Sequence, residues 1–399
     1  MSETERNQSS KYHQWQSVAE TILGQRYLIA TKPGVFSHGR IDPAALLLAE
    51  QAMVKADDVV VHLNCGNGLF GTVAAANASR VYLLDRHFVS FQAAARTLAL
   101  NEVKNGEVLL GQGTFVLPAN TRADVVGIRI PHEKQALFQL LFDAFNILPI
   151  GGRCYIAGAN NEGIKTAQKT IADIFGNSNK LAEHASHRVI VATKRHERPV
   201  TPGIFENPLL AGDAFSELAV TLRGVPITMY SRPGVFSWDH VDEATSLLAE
   251  HMVVQPGESV LDLGCGSGGL GTIAAMLSGT GRVRMVDADN EAVRSTRGTI
   301  EVANVKNASV VISDVASAVI DERFDVVVSN PPFHVGKATN LELPLQFIRD
   351  AFEVLSPKGR LYLVANRTLP YESMIEEQFG SVQTVHDGPR FKVLSAIKP

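Results

Sequence analysis

The residues best suited to chemistry form a short tetrapeptide, Asn330-Pro331-Pro332-Phe333. The Asn330 side-chain oxygen and the Pro331 carbonyl can accept hydrogen bonds, and the prolines restrict the backbone that presents them. An exocyclic or amide nitrogen is a poor nucleophile because its lone pair is delocalised into the attached π system. Hydrogen bonds from its N–H groups to these acceptors would localise the lone pair, while Phe333 would stack on the planar group. The tetrapeptide therefore predicts a catalytic site for a planar nitrogen.

A glycine-rich turn, Gly264-Cys265-Gly266-Ser267-Gly268-Gly269, lies upstream between an apolar strand and a helix. Glycine allows a ligand to approach the backbone more closely than a Cβ atom would permit. Asp287 ends the next strand, where its carboxylate can accept hydrogen bonds from two ribose hydroxyls. Glycines 264, 266 and 269 also fit the dinucleotide pattern G-x-G-x-x-G, so the glycines alone do not identify the cofactor.

Two further features favour S-adenosylmethionine over a dinucleotide. Asp262 precedes the turn, and its negative charge suits ammonium and sulfonium groups but would repel a pyrophosphate. The tetrapeptide directly follows the strand predicted at 324–328, at the carboxyl end of the sheet, where open α/β folds bind ligands. We therefore expect Asp262, Gly264, Gly266 and Asp287 to form part of a pocket for S-adenosylmethionine.

These residues need a sheet to position them, and the second half of the chain predicts one. Short apolar runs alternate with helices, which indicates βαβ units and a doubly wound, mainly parallel sheet. A hairpin, 214–220 with 227–230, is expected to open this domain. The strands are predicted at 259–263, 282–286, 309–312, 324–328 and 359–365, and the helices at 271–277 and 290–302.

The chain of 399 residues contains the same pattern twice, at a shift of 200. Residues 32–37, Lys-Pro-Gly-Val-Phe-Ser, recur at 232–237 with arginine for lysine, and the turn at 64–68 recurs at 264–268. Two α/β domains of one fold class are therefore predicted. Their bounds are predicted as 1–197 for the first domain, 198–212 for a proline-containing linker and 213–399 for the second.

The first copy lacks the chemistry of the second. His62 stands where the second copy has Asp262, and Asn64 where it has Gly264. The tetrapeptide is replaced by Arg129-Ile130-Pro131-His132, which cannot supply both acceptors and a stacking ring. We predict that the first domain does not methylate and does not bind the cofactor.

Charge suggests a different task for the first copy. The net charge of −4 divides into +4 over residues 1–200 (21 Lys and Arg, 17 Asp and Glu) and −8 over the rest (16 and 24). A basic face can contact phosphates, and Arg129, His132, Lys194 and Arg195 are the candidates for RNA binding. A solvated helix face with a charged linker, in a domain that only stabilises its twin, is the alternative.

The motifs of the second copy resemble one known family. Class I S-adenosylmethionine-dependent methyltransferases acting on a planar nitrogen share the glycine turn and the tetrapeptide. Within that class, the chain resembles the bacterial ribosomal RNA guanine-N2 methyltransferases, which are tandem duplications with a degenerate amino-terminal copy. The motifs that carry this resemblance are residues 330–334, residues 233–237 with Asp242, and residues 364–367 with 369–371. The resemblance covers nearly the whole chain. It rests on specific motifs in the second half and mostly on the shared architecture in the first.

The resemblance implies two tandem Rossmann-like domains and a fuller set of site residues. Gly268, Asp314 and Asn330 join the cofactor pocket, with Asp314 near the adenine, and residues 330–333 hold the guanine amine. The expected reaction is methylation of guanine N2 in ribosomal RNA, with 16S RNA preferred over 23S RNA. The guanine must leave its helix or loop to enter the pocket.

Other functions compete with this one. Methylation of a glutamine amide in a protein uses similar Asn-Pro-Pro-aromatic loops, and a noncatalytic RNA-binding assembly factor is the alternative from another class. The expected partner is ribosomal RNA or a ribosomal subunit, the expected location is the cytoplasm, and neither a membrane span nor a signal peptide is indicated. The three cysteines show no C-x-x-C spacing, so neither a zinc site nor another metal site is expected. The sequence leaves the oligomeric state open, and a monomer is compatible with it.

Overall fold

The computed structural model describes residues 11–131, 133–210, 214–332 and 342–399. The chain forms two compact units. The first runs from His13 to Ala214, and the second from Phe215 to Pro399. Lys11 and Tyr12, at the start of the described chain, belong to the second unit.

The first unit is an α/β fold preceded by a hairpin of β1 and β2. Its strands are β1 (Gln16–Ile22), β2 (Gln25–Thr31), β3 (Val59–Leu63), β4 (Arg80–Asp85), β5 (Gly106–Leu110), β6 (Val125–Arg129), β7 (Arg153–Ala159), β8 (Asn179–His184) and β9 (His187–Thr193). Its helices are α1 (Pro43–Gln51), α2 (Leu69–Ala74), α3 (Phe88–Leu100), α4 (Lys134–Ile147) and α5 (Ile164–Phe175).

The second unit repeats this order. Its strands are β10 (Ser216–Leu222), β11 (Val225–Ser231), β12 (Val260–Leu263), β13 (Val283–Asp287), β14 (Ala308–Ile312), β15 (Phe324–Ser329), β16 (Leu355–Asn366), β17 (Gln383–Asp387) and β18 (Phe391–Ile397). Its helices are α6 (Glu243–His251), α7 (Gly269–Ser278), α8 (Asn290–Val302), α9 (Glu342–Val354) and α10 (Tyr371–Phe379). Short 3₁₀ turns lie at Lys11–His13, Thr114–Val116, Asn160–Glu162, Pro208–Leu210 and Ser317–Val319.

Seven of the described strands in each unit form one sheet with the same topology. The strand order is β5-β4-β3-β6-β7-β9-β8 in the first unit and β14-β13-β12-β15-β16-β18-β17 in the second. All pairings are parallel except those of β9 and β18, which run antiparallel to both of their neighbours. The doubly wound, mainly parallel sheet predicted for each domain is confirmed.

The central strands are buried on both faces, as expected where helices cover both sides of a parallel sheet. Every residue of β12 is buried, and so are all residues of β6. Two hydrophobic clusters fill each unit, one on each face of its sheet. The three cysteines, Cys65, Cys154 and Cys265, are buried and free.

Within the segment predicted as a linker, 198–212, the described residues 198–210 group with the first unit. The Phe205 ring packs edge-to-face against Phe138, Phe142 and Phe145, with centroid distances of 6.2, 4.9 and 5.6 Å. Proline and glycine marked the segment as irregular but could not reveal this apolar anchor. Across the described ranges, no helix is both long enough and apolar enough to cross a membrane.

Candidate active site

The site lies where the order of strands reverses in the second sheet. The chain leaves β12 to build β13 and β14 on one side, and returns through β15 to build the other side. β12 and β15 pair in parallel, with Asp262 opposite Val328, so their carboxyl ends lie together. Such a switch point leaves a crevice for ligands. The glycine turn follows β12, and Asn330 follows β15.

The glycine turn has a backbone that other residues rarely adopt. Gly264, Gly266 and Gly268 have φ angles of +81°, +55° and +84°. A Cβ atom added at Gly266 would meet nothing within 4 Å, because this residue faces a cleft with about 460 Å³ of empty space, part of it open to solvent. Gly264, Asp242 and Asn330 also line this cleft. A cradle of this kind fits a cofactor that packs against the backbone.

Asp287 fixes the turn from the neighbouring strand. Its Oδ2 accepts a hydrogen bond from the Gly266 N–H at 2.9 Å, and its Oδ1 accepts one from the Asp289 N–H at 2.9 Å. A carboxylate is acceptor-only and offers about four acceptor directions, which suits a group expected to receive ribose hydroxyls.

Asp262 is fully buried. Its Oδ2 accepts a hydrogen bond from the Gly271 N–H in the first turn of α7 at 2.8 Å, whereas its Oδ1 is buried without a hydrogen-bond partner. Burial raises the pKa of this carboxyl to about 7, and the nearby charge of Asp287 adds to the rise. A cation placed beside it would favour the ionised form, which fits the positive groups of S-adenosylmethionine.

Asn330 lines the cleft, and its amide is fixed by hydrogen bonds. Its Nδ2 donates to Asp242 Oδ2 at 3.1 Å and to Thr245 Oγ1 at 3.0 Å, which occupies both N–H groups. Its Oδ1 is buried and has no hydrogen-bond partner. Asp242 is also the N-cap of α6, where it accepts the Thr245 N–H at 3.1 Å. The start of α6 therefore sets the orientation of the Asn330 amide.

Sequence reasoning missed the part played by this helix start. In the sequence, Asp242 stands out only as part of a motif, and no pattern singles out Thr245. An aspartate ahead of a helical pattern is a recognisable N-cap signal, but its bond to a residue 88 positions away is not visible in sequence. Of the tetrapeptide, Pro331 is buried and Pro332 exposed. Phe333 and the adjacent His334 lie outside the described residues.

Asp314 follows β14, the strand next to β13. It is buried, and its Oδ1 accepts a hydrogen bond from the Tyr12 hydroxyl at 2.6 Å. Sequence reasoning did not identify Tyr12. In the described part of the chain, no group of three His, Cys, Asp or Glu side chains is arranged to hold a metal ion.

In the first unit, an ion pair takes the place of the acceptor amide. β6 ends at Arg129, the counterpart of Asn330. The Arg129 Nε donates to Asp42 Oδ2 at 2.7 Å, and its Nη2 to Glu162 Oε1 at 2.8 Å. Only 8% of Arg129 is exposed. The Arg129 guanidinium, predicted to contact RNA, is therefore buried and committed to two carboxylates.

The other substitutions in the first copy preserve the fold and remove charge. His62 Nδ1 accepts the Gly71 N–H at 3.3 Å, the bond that Asp262 makes to Gly271. Burial lowers the pKa of His62 to about 3, so this side chain is neutral. Asn64 adopts φ +55°, the left-handed conformation of Gly264 that asparagine tolerates better than most residues.

The other three residues predicted to contact RNA are Lys194, Arg195 and His132, and the structure places the first two differently. Lys194 is buried, and its Nζ donates to the carbonyls of Phe145 and Leu148, both at 2.8 Å. The ammonium that was a candidate RNA contact therefore caps the carboxyl end of α4. Arg195 is exposed. His132 lies outside the described residues.

A doubly wound sheet with a glycine turn, an acidic strand end and an acceptor amide at its switch point defines a class I S-adenosylmethionine-dependent methyltransferase. Comparison with known proteins agrees with this class. The family model described as "Methyltransferase small domain" matches residues 26–191 and 226–395, once in each unit.

Similar curated proteins identify a more specific family within this class. The chain is 33% identical over 267 residues to "Ribosomal RNA small subunit methyltransferase C" of Escherichia coli O9:H4 (strain HS). The aligned region covers 67% of this chain and 73% of the relative. The protein of the same name from Shigella sonnei (strain Ss046) matches with the same identity and coverage. The chain belongs to the family of ribosomal RNA small subunit methyltransferase C.

A solved structure extends the similarity to the whole chain. The T. thermophilus 16S rRNA N2 G1207 methyltransferase, solved in complex with AdoMet and guanosine, superposes with a TM-score of 0.80 at 29% sequence identity. The match covers 98% of this chain and 99% of that structure. The degenerate first copy is thus part of the shared architecture.

Proposed function

We propose that this chain transfers a methyl group from S-adenosylmethionine to the exocyclic N2 amine of a guanine in small-subunit ribosomal RNA. The observation that carries the proposal is the buried Asn330 Oδ1, which has no partner and belongs to a side chain lining the cleft beside the glycine turn. The names of the relatives and of the T. thermophilus structure support the same substrate.

The chemistry follows from the orientation of the Asn330 amide. S-adenosylmethionine supplies an electrophilic methyl group on a sulfonium. Because both N–H groups of Asn330 are occupied, the side chain has only its acceptor oxygen to offer a substrate. One N–H of the guanine amine donates to this oxygen and the other to the Pro331 carbonyl. Both bonds strengthen as the nitrogen develops positive charge, so they stabilise the transition state more than the ground state.

Three carboxylates are proposed to hold the cofactor. Asp262 favours its positive groups, Asp287 accepts from the ribose hydroxyls, and Asp314 accepts from the adenine amine. The open space at Gly266, the buried unpartnered oxygen of Asp262 and the position of all three at the carboxyl ends of β12, β13 and β14 support these roles.

The first unit is proposed to be noncatalytic and to contact RNA through its exposed basic side chains. Arg129 fills the position of the acceptor amide with a buried ion pair, which leaves no acceptor for a substrate amine. Arg195 and Arg198, with Lys165 and Lys169 on α5, are exposed and can reach phosphates. Such contacts would add affinity that falls as salt rises.

Mass spectrometry of nucleosides from small- and large-subunit RNA, with and without the gene, tests the reaction. We expect loss of one N2-methylguanosine from small-subunit RNA and its return when the intact gene is supplied. Loss from large-subunit RNA would indicate the 23S reaction instead. An unchanged RNA profile with loss of N5-methylglutamine from a protein would indicate the amide reaction, and no change in either would indicate a noncatalytic protein.

A further inference from the structure

We propose that Tyr12 is a positioning residue of the catalytic unit, holding the Asp314 carboxylate in the orientation that accepts the adenine amine of the cofactor. The proposal rests on the cofactor role proposed above for Asp314. It assigns to the second unit a side chain from the opposite end of the sequence.

The contact between the two residues is short and buried. The Tyr12 hydroxyl donates to Asp314 Oδ1 at 2.6 Å, across 302 positions of sequence. Only 3% of Tyr12 is exposed, and the residue belongs to the second unit. A hydrogen bond from a phenol to a carboxylate at this distance is charge-assisted and among the stronger kinds in proteins.

The ring of Tyr12 is anchored where the cofactor residues begin. Tyr12 is part of the core cluster that contains Leu263 and Val286. Leu263 immediately precedes the glycine turn, and Val286 immediately precedes Asp287. The same cluster therefore fixes the Tyr12 hydroxyl and the two strand ends that carry the cofactor residues.

The backbone beside Asp314 is held as firmly as its side chain. Val315 has φ +53°, a left-handed conformation that a β-branched residue adopts only when its surroundings impose it. The next amide, Ala316 N–H, donates to Asp350 Oδ2 at 3.0 Å, and Gln346 on α9 donates to Asp350 Oδ1 at 2.6 Å. Strain of this kind gathers at sites where one orientation is required.

The first unit keeps this loop without the carboxylate. Gln112 occupies the position of Asp314, and its amide donates to Gln139 at 3.0 Å. Gly113, with φ +88°, occupies the position of Val315 and relieves the strain. Among the described residues, the acid, the strained valine and a tyrosine bonded to the acid occur together only in the second unit.

The chemistry explains why orientation matters. An adenine amine donates hydrogen bonds, so it needs an acceptor aimed at it. A carboxylate provides about four acceptor directions, and the bond from Tyr12 uses one while restricting rotation of the group. The 6-oxo group of hypoxanthine is an acceptor, so an oriented carboxylate rejects it. Tyr12 therefore contributes to selection of adenine by the pocket.

Ligand binding to the full chain without RNA tests this. Titration calorimetry with S-adenosylhomocysteine and S-inosylhomocysteine compares the wild-type protein with Tyr12→Phe, which keeps the ring and removes the hydroxyl. We expect affinity for S-adenosylhomocysteine to fall about tenfold, from loss of one charge-assisted bond, with little change for the inosyl ligand. The preference for adenine should fall by the same factor.

Tyr362→Phe is the matched control, because Tyr362 is a buried tyrosine of the same unit in the cluster on the other face of the sheet. It should leave the preference unchanged. A double-mutant cycle tests the coupling of the two residues. Asp314→Asn by itself should lower the preference for adenine, and adding Tyr12→Phe to that variant should lower it little further, because the two residues act as one unit. Equal losses for both ligands in Tyr12→Phe would mean that the hydroxyl is only structural, and would overturn the proposal. A preference unaffected by Tyr12→Phe would overturn it equally. An error about the RNA substrate would instead appear in the nucleoside map and leave these ratios intact.

Discussion

Replacement of Asn330 by alanine separates methyl transfer from cofactor binding. The substitution removes the buried, unpartnered Oδ1 of a side chain that lines the cleft, together with the two hydrogen bonds from Nδ2 to Asp242 and Thr245. Asp242 still caps α6 through the Thr245 N–H. The helix start and the glycine turn should therefore survive, and only the acceptor should be lost.

The expected loss follows from the number of acceptors. Asn330 Oδ1 is one of two proposed acceptors for the amine, the other being the Pro331 carbonyl. Removal of one preorganised hydrogen-bonding group that acts on transition-state charge costs about 100- to 1,000-fold in turnover, or about 2.7–4 kcal/mol. Loss of the two donated bonds should lower the free energy of unfolding by about 1–3 kcal/mol.

The assay is single-turnover transfer of labelled methyl to small-subunit RNA, alongside calorimetric binding of S-adenosylmethionine. Asn307→Ala is the matched control, because Asn307 also donates two hydrogen bonds, to the carbonyls of Ala275 and Gly281 at 3.1 and 2.8 Å. It should destabilise the unit comparably yet transfer methyl at near the wild-type rate. Turnover of Asn330→Ala within about threefold of wild type would refute the argument that this oxygen activates the amine.

Three further outcomes are expected. Arg129→Ala should lower the free energy of unfolding by about 3–5 kcal/mol in urea, because Asp42 and Glu162 would lose their buried cation; a change under about 1 kcal/mol would contradict that. Asp262 ionises near pH 4 in the unfolded chain and near pH 7 in the folded one, so its stabilising contribution is present in acid and is lost as pH rises through that window. Asp262→Asn should therefore raise the melting temperature relative to wild type at pH 8, with little difference at pH 4. The same substitution should weaken binding of S-adenosylmethionine. Equal changes in melting temperature at both pH values would be inconsistent with a raised pKa of Asp262. Arg195→Glu should weaken RNA binding and reduce the slope of its salt dependence by about one, and an unaltered slope would remove Arg195 from the RNA surface.

Much of the catalytic unit was predictable because its chemistry lies in local motifs. The glycine turn and the Asn330 tetrapeptide follow predicted strands, and parallel strands end on the same edge of a sheet. The repeat then showed which residues to compare between the copies. The strand boundaries were recovered to within a few residues, but β17, β18 and helices α6, α9 and α10 were not assigned.

Long-range contacts were not predictable. The bonds from Asn330 to Asp242 and from Tyr12 to Asp314 join residues 88 and 302 positions apart, and no local pattern marks them. The burial of Lys194 was not predictable either, because a basic residue in a basic stretch is expected to be exposed. Its ammonium instead satisfies carbonyls at a helix end, which sequence alone does not reveal.

The ion pair of Arg129 makes it difficult for the first unit to acquire the acceptor amide of the second. Returning asparagine to position 129 would leave Glu162 buried without its cation, so that single step would pass through a destabilised protein. A cofactor pocket like that of the second unit would also require a carboxylate at His62 and at Gln112, and the Gln112 amide is already bonded to Arg86 and Gln139. The first unit therefore cannot gain the acceptor amide in one step without losing stability, whereas substitutions of its exposed residues cost little.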